Sequence, residues 1–338
     1  MSSQAIHPSN YSFEPAVDIE RSMVQARLGD EYQIVRELGR GGMGVIFLAR
    51  DVALHRLVAI KVLRHEFAHS AEHRERFRRE ARVAARLTHP NVVAVHTYGE
   101  SPDLVYLVMR YVHGESLGTR LRREGRIEPE AARRLLTDLA LVLEHGHRKG
   151  IVHRDLKPEN ILLEQGSDRP LLTDFGVALI CSADPSPDEV RRAFGTPQYM
   201  SPEQAAGEVD LDGRSDLYSL GVLAYAMLTG DVPFDGPSFG AIAAQHIAAP
   251  HVPLAEAAPH VPRDLAEVVE WCLEKERTAR WQTARELHEA LQACEKGTHG
   301  WLRRSAAALR GLGRTRTAAA LAIVATSLKH VVARWPGI

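Results

Sequence analysis

Cysteine is scarce. The 338 residues hold three, Cys181, Cys272 and Cys294, too far apart to form a disulfide framework or a zinc spacing. No uninterrupted apolar run reaches the roughly 20 residues that span a bilayer, and no secretory leader opens the chain. A reducing cytoplasm is the expected location. Charge of one sign is also lacking, the formal net charge being −1. The basic residues lack interleaved aromatics, so no nucleic-acid partner is expected. With 45% hydrophobic and 25% charged residues, the composition is that of a globular protein and excludes disorder throughout.

The near-neutral total conceals a split. Residues 296–338 carry eight Lys/Arg and no Asp/Glu, which leaves 34 basic residues against 43 acidic ones in 1–295. Within the tail, Leu321, Val324, Leu328, Val331 and Trp335 fall on one helical stripe, with Lys329, His330 and Arg334 elsewhere. Such a segment reads as an interfacial helix on anionic lipid, a helix packed on its own lobe, or a disordered basic tail. The first reading places the protein peripherally at the inner membrane face.

Residues 153–160 read H-R-D-L-K-P-E-N, and D-F-G follows at 174–176. Upstream, G-R-G-G-M-G-V-I at 39–46 lies between two apolar runs, and V-A-I-K occupies 58–61. A lone G-x-G-x-x-G also suggests a dinucleotide-binding turn, but that turn leads directly into a helix, and here a strand-like run follows. In this order the motifs resemble the protein kinases, over about residues 32–294. The nearest pattern is that of the bacterial serine/threonine kinases of eukaryotic-like type.

The resemblance implies a role for each residue. Asp155 accepts the proton of a substrate hydroxyl, and Asn160 and Asp174 hold Mg²⁺ or Mn²⁺. Lys61 holds the ATP phosphates and pairs with Glu80, while Gly39, Gly41 and Gly44 let the backbone close over them. Leu38, Ile46, Ala59 and Leu162 form the adenine slot, with Met109 behind it and Arg110, Tyr111 and Val112 as the hinge. Lys157, two residues after Asp155, marks kinases acting on aliphatic hydroxyls, and Thr196 orients both. Downstream, G-T-P-Q-Y-M-S-P-E-Q at 195–204 resembles the end of an activation segment. There Glu203 would pair, buried, with Arg280, and Asp216 would hold the catalytic-loop backbone.

Two departures stand out. Arg110 occupies a hinge position where an acidic residue is common. Between D-F-G and G-T-P the chain lacks the threonines that related kinases phosphorylate. The candidate phosphosites are Ser182, Ser186 and Thr196, with Arg154 placed to meet a phosphate.

The expected fold is α+β and two-lobed: a small β-rich N-lobe with one helix over about 32–111, and a larger helical C-lobe over about 112–294. Helices are predicted near 130–149, 216–229, 263–273 and 283–294. A loosely ordered extension, 1–31, precedes the domain, and a basic Ala/Arg-rich tail, 295–338, follows it.

Residues 65–69, H-E-F-A-H, match the zinc-protease pattern, with His73 continuing the row. The match lies in the variable segment after the third strand of a kinase, so surface histidines are expected there rather than a metal site. The expected function is ATP-dependent phosphorylation of Ser or Thr in proteins, including autophosphorylation through a homodimer. The rival class is a kinase-fold binding scaffold, which predicts loss of Lys61, Asp155 or Asp174. None is lost.

Overall fold

A computed structural model describes residues 19–175 and 196–295. The N-lobe is built on a five-stranded antiparallel sheet of β1 (Tyr32–Arg40), β2 (Gly44–Asp51), β3 (Arg56–Leu63), β4 (Val95–Glu100) and β5 (Val105–Arg110), in the order β1-β2-β3-β5-β4. Side chains alternate across a strand, and β3 shows what this does for the site. Val58, Ile60 and Val62 enter one apolar cluster, while Ala59 and Leu63 enter another on the opposite face. Lys61 shares that second face, which borders the cleft.

The first cluster is closed by α1 (Ile19–Leu28), whose Val24 and Leu28 pack with Val45, Phe47 and Val108. Over residues 19–28 the structure departs from the expected loosely ordered extension, whose residues 1–18 lie outside the described residues. Residues 19–28 form a helix because Val24 and Leu28, four apart, share one helical face and the sheet needs a cover. Val24 is fully buried. Asp103 holds the Arg27 guanidinium at 2.9 Å, and Glu20 accepts from Arg40 at 3.1 Å and from the His65 amide at 3.2 Å.

On the cleft side lies α3 (Ala71–Arg86), capped by the Ser70 hydroxyl. It buries Phe77, Glu80 and Ala81. Their 3.6-residue period turns an acidic side chain inward together with two apolar ones.

Before α3, the H-E-F-A-H segment makes a single turn, α2 (His65–Ala68), and the helix breaks at His69. Its rings contact one another and their neighbours: His65 and His69 meet edge to face at 5.4 Å, and His73 stacks on Phe67 and bonds Ser70. Among the described residues, no group of three or more His, Cys, Asp or Glu side chains is placed to hold a metal ion.

After the hinge come β6 (Gly114–Ser116), α4 (Leu117–Glu124) and α5 (Pro129–His147); β7 (Ile161–Glu164) and β8 (Pro170–Leu172) join β6 in a small sheet. Beyond residue 196 lie α6 (Pro202–Ala205), α7 (Gly213–Thr229), α8 (Phe239–Ala248), α9 (Leu254–Ala257), α10 (Arg263–Cys272) and α11 (Ala284–Glu295). The core of this lobe is α7, buried almost all round from Ser215 to Leu228. Asp212 caps its start, and Gly230, at φ 94°, closes its end in the left-handed conformation that glycine adopts without strain. Among the described residues no helix is long and apolar enough to cross a membrane.

Candidate active site

Between the lobes, Lys61 Nζ lies 2.5 Å from Glu80 Oε1 and 2.8 Å from Asp174 Oδ1. Burial by itself would lower the Lys61 pKa, but Asp174 and Glu80 outweigh it and hold the ammonium above the ordinary lysine value. Burial pushes the Glu80 carboxyl up against the pull of Lys61. For Asp174 the same burial penalty is overcome by Lys61, with Lys157 adding to it, and its carboxyl stays below the usual range. One cation thus ties α3, β3 and the segment after β8 together.

The catalytic loop, 153–160, is held from beneath by α7. Asp216 accepts the amides of His153 and Arg154, each at 2.8 Å, and its Oδ2 lies 2.8 Å from His147 Nε2. Despite full burial its carboxyl is held below the ordinary range, because His147 and these amides favour the ionised form. Arg154 has φ 68°, an unfavourable conformation for a residue with a Cβ, so these hydrogen bonds offset strain stored in the loop.

In the loop itself, Asp155 Oδ2 accepts from Lys157 at 2.7 Å and from Asn160 Nδ2 at 3.0 Å; Asn160 Nδ2 also reaches the Asp155 carbonyl at 2.8 Å. Asp155 Oδ1 and Asn160 Oδ1 take no hydrogen bond from the described residues. The first is available to a hydroxyl, the second to a cation. A carboxylate at Asp174 and an amide oxygen at Asn160 are the donor types a hard divalent ion prefers, so the site fits Mg²⁺ chemically.

Residues expected around the adenine also come together. Ala59, Met109 and Val112 are buried in one cluster, and Leu38, Ile46 and Leu162 pack against it while staying half-buried. A Cβ built at Gly39 or Gly42 meets nothing within 4 Å, whereas at Gly44 it would approach the Val62 carbonyl at 3.2 Å. The glycine-rich turn therefore has open space around Gly39 and Gly42. At the hinge, Arg110 pairs with Glu164 Oε1 at 2.5 Å, and Arg169 shares that carboxylate. The unusual hinge charge is met by the other lobe.

In the C-lobe, Arg280 grips Glu203 through two 2.8 Å contacts, and Ser215 donates to the same carboxylate at 2.5 Å. Thr196 is exposed, and no side-chain hydrogen bond joins it to Lys157 or Asp155. Ser182 and Ser186 lie outside the described residues. The Arg154 Nε is buried with no partner among the described residues, and burial lowers the pKa of its guanidinium despite Asp216.

Sequence reasoning did not find the support under the loop from His147, nor the bond from His153 Nε2 to the Thr173 carbonyl at 3.1 Å. His153 lay inside the motif itself. His147 carried no signal beyond its place at the end of a predicted helix.

Residues 32–293 match the family model described as the protein kinase domain. Among similar proteins, the serine/threonine-protein kinase pkn2 of Myxococcus xanthus is 44% identical over 79% of this chain and 32% of its own length. PrkC of Bacillus subtilis is 37% identical over 78% of this chain and 40% of its own. The chain spans less than half the length of these curated relatives. The solved kinase domain of Mycobacterium tuberculosis PknI superposes with a TM-score of 0.60 at 31% identity, over 78% of this chain and 95% of that one.

Proposed function

This chain belongs to the protein kinase family, and we propose that it is a protein serine/threonine kinase that uses ATP with Mg²⁺ or Mn²⁺. What carries the reading is the pairing of Asp155 with Lys157 and Asn160, opposite the Lys61–Glu80–Asp174 cluster. When bound, ATP and its metal supply the transferable phosphoryl group and neutralise its charge.

The chain's own residues do the rest. Asp155 Oδ1 receives the proton of a Ser or Thr hydroxyl. Lys157, bonded to the other oxygen of that carboxylate, keeps it aimed. Lys61 offers an ammonium to the phosphates, and Glu80 fixes where it stands. Asn160 and Asp174 hold the cation, and the slot formed by Leu38, Ile46, Ala59, Met109, Tyr111, Val112 and Leu162 takes the adenine. The Gly39, Gly41 and Gly44 backbone covers the phosphates.

Autophosphorylation through a second copy, protein substrates in signalling, and contact of the basic tail with anionic lipid belong to the same reading. The tail rests on its charge and apolar stripe alone. Incubation with γ-labelled ATP and a library of Ser-, Thr- and Tyr-centred peptides tests the proposal. Label on Ser or Thr peptides is expected. Label on none, with nucleotide bound, favours a scaffold.

A further inference from the structure

Glu20 stands outside the stretch shared with other kinases, which opens at Tyr32, yet its carboxylate reaches the root of the glycine-rich turn. One oxygen, Oε2, accepts from Arg40 Nη1 at 3.1 Å, and the other, Oε1, accepts from the His65 amide at 3.2 Å. Arg40 is the last residue of β1, between Gly39 and Gly41, so its backbone leads directly into the turn. A second carboxylate, that of Glu37, holds the same guanidinium at 2.9 Å.

His65 follows Arg64, whose amide donates to the Met43 carbonyl at 2.9 Å and whose guanidinium lies 3.4 Å from the Gly42 carbonyl. Both limbs of the turn therefore converge on one side chain of α1. The Glu20 side chain is 12% exposed and that of Arg40 38%, so water screens their contact only in part. Burial pushes the Glu20 carboxyl up, but Arg40 and the His65 amide outweigh it and hold it below the ordinary carboxylate range.

Glycine loses more conformational freedom on being fixed than any other residue, and Gly39, Gly41, Gly42 and Gly44 crowd this turn. Within it the Gly41 amide donates to the Gly44 carbonyl at 2.8 Å, while a Cβ at Gly39 or Gly42 would meet nothing within 4 Å. Closing such a segment over phosphates costs entropy, and ends that are already fixed lower that cost.

We propose that Glu20 is a positioning residue for ATP: by gripping Arg40 and the His65 amide together it fixes both ends of the glycine-rich turn, so that α1 contributes to nucleotide affinity as well as covering the sheet. This rests on the kinase reading, in which that turn covers the phosphates.

The test titrates the full chain with Mg²⁺·ATP by calorimetry and measures the KM for ATP and for a Ser/Thr-centred peptide. Glu20→Gln keeps the size of the side chain but leaves a single oxygen for Arg40 and the His65 amide. The Kd and KM for ATP should rise about two- to five-fold, the range of a partly exposed ion pair, with the peptide KM and the melting temperature near wild-type values. Arg40→Gln should weaken ATP as well, and adding Glu20→Gln to it should weaken ATP no further. Arg27→Gln, which breaks the Arg27–Asp103 pair elsewhere on α1, should leave ATP affinity unchanged.

Wild-type ATP affinity in Glu20→Gln overturns the anchor and leaves the kinase reading standing. So does a double variant whose loss is the product of the two single losses, because Glu20 would then act apart from Arg40. An equal loss in Arg27→Gln also overturns it, since that marks the general docking of α1. A wild-type chain that binds no Mg²⁺·ATP overturns both the anchor and the kinase reading.

Discussion

Glu203 and Arg280 meet through two parallel 2.8 Å contacts with side chains 3% and 0% exposed. Removing one partner strands a buried charge. Arg280→Met should therefore cost about 3–5 kcal/mol in urea unfolding, whereas the double replacement Glu203→Met with Arg280→Met should recover much of that loss. A double variant as unstable as the single one would show that the pair does more than satisfy itself.

Acid should unfold the C-lobe through the same groups. Glu203 and Asp216 both hold their protons less tightly in the folded protein than at the ordinary values of 4.5 and 3.8. Where the unfolded chain binds more protons, stability rises with pH. Their contribution is thus complete above about pH 4.5 and lost as pH falls through the depressed folded values. Thermal melts between pH 7 and pH 3 check this, and Asp216→Asn should flatten part of the slope.

Asp174→Asn removes charge with little change of shape, and Glu80 still pairs with Lys61. Phosphoryl transfer should fall by about 100-fold or more, with the circular dichroism of the folded protein retained. Wild-type turnover would remove Asp174 from the metal site.

The cover helix gives a stability prediction. Leu28→Ala should cost about 2–5 kcal/mol as a buried leucine truncation, read from the midpoint of urea unfolding. A change near zero would mean that α1 detaches readily from the sheet.

The two imidazoles of H-E-F-A-H meet edge to face, and among the described residues no group of three or more ligating side chains gathers around them. His65→Ala with His69→Ala should keep kinase activity near wild type, and elemental analysis should find no stoichiometric zinc in either protein. One zinc per chain, lost in the double variant, would restore the metal reading.

How legible all this was in the sequence depended on how local the signal is. Asp155, Lys157 and Asn160 lie within six residues, and Asp174 follows at a fixed distance, so one short loop announced them. Lys61 came with its V-A-I-K strand. Glu80 came from its place in the helical stretch after that strand, and the structure turns it inward beside Phe77 and Ala81. The long helices at 129–147 and 213–229 followed from apolar periodicity, but α4 and α8 did not, being short and flanked by ambiguous turns.

The cover helix was missed because eight of its ten residues face outward or lie half-exposed, and two apolar residues four apart are a weak signal. The surroundings of Lys275 were illegible for a different reason: its ammonium meets the Phe234 ring, the Tyr218 hydroxyl and the carbonyls of Gln245 and His246, which nothing in sequence distance marks. Thr196 shows the converse limit: a role implied by resemblance met an exposed side chain with no hydrogen bond to Lys157 or Asp155.

The position of α1 also redraws where this domain starts. The stretch shared with other kinases opens at Tyr32, yet the sheet's outer face is sealed from Ile19 onward. A fragment trimmed to the shared stretch would lose Val24 and Leu28 from the cluster that holds Val45, Phe47, Val58 and Ile60, and so expose part of an apolar face. The stretch shared with the family and the stretch that covers this sheet are therefore different lengths of the same chain.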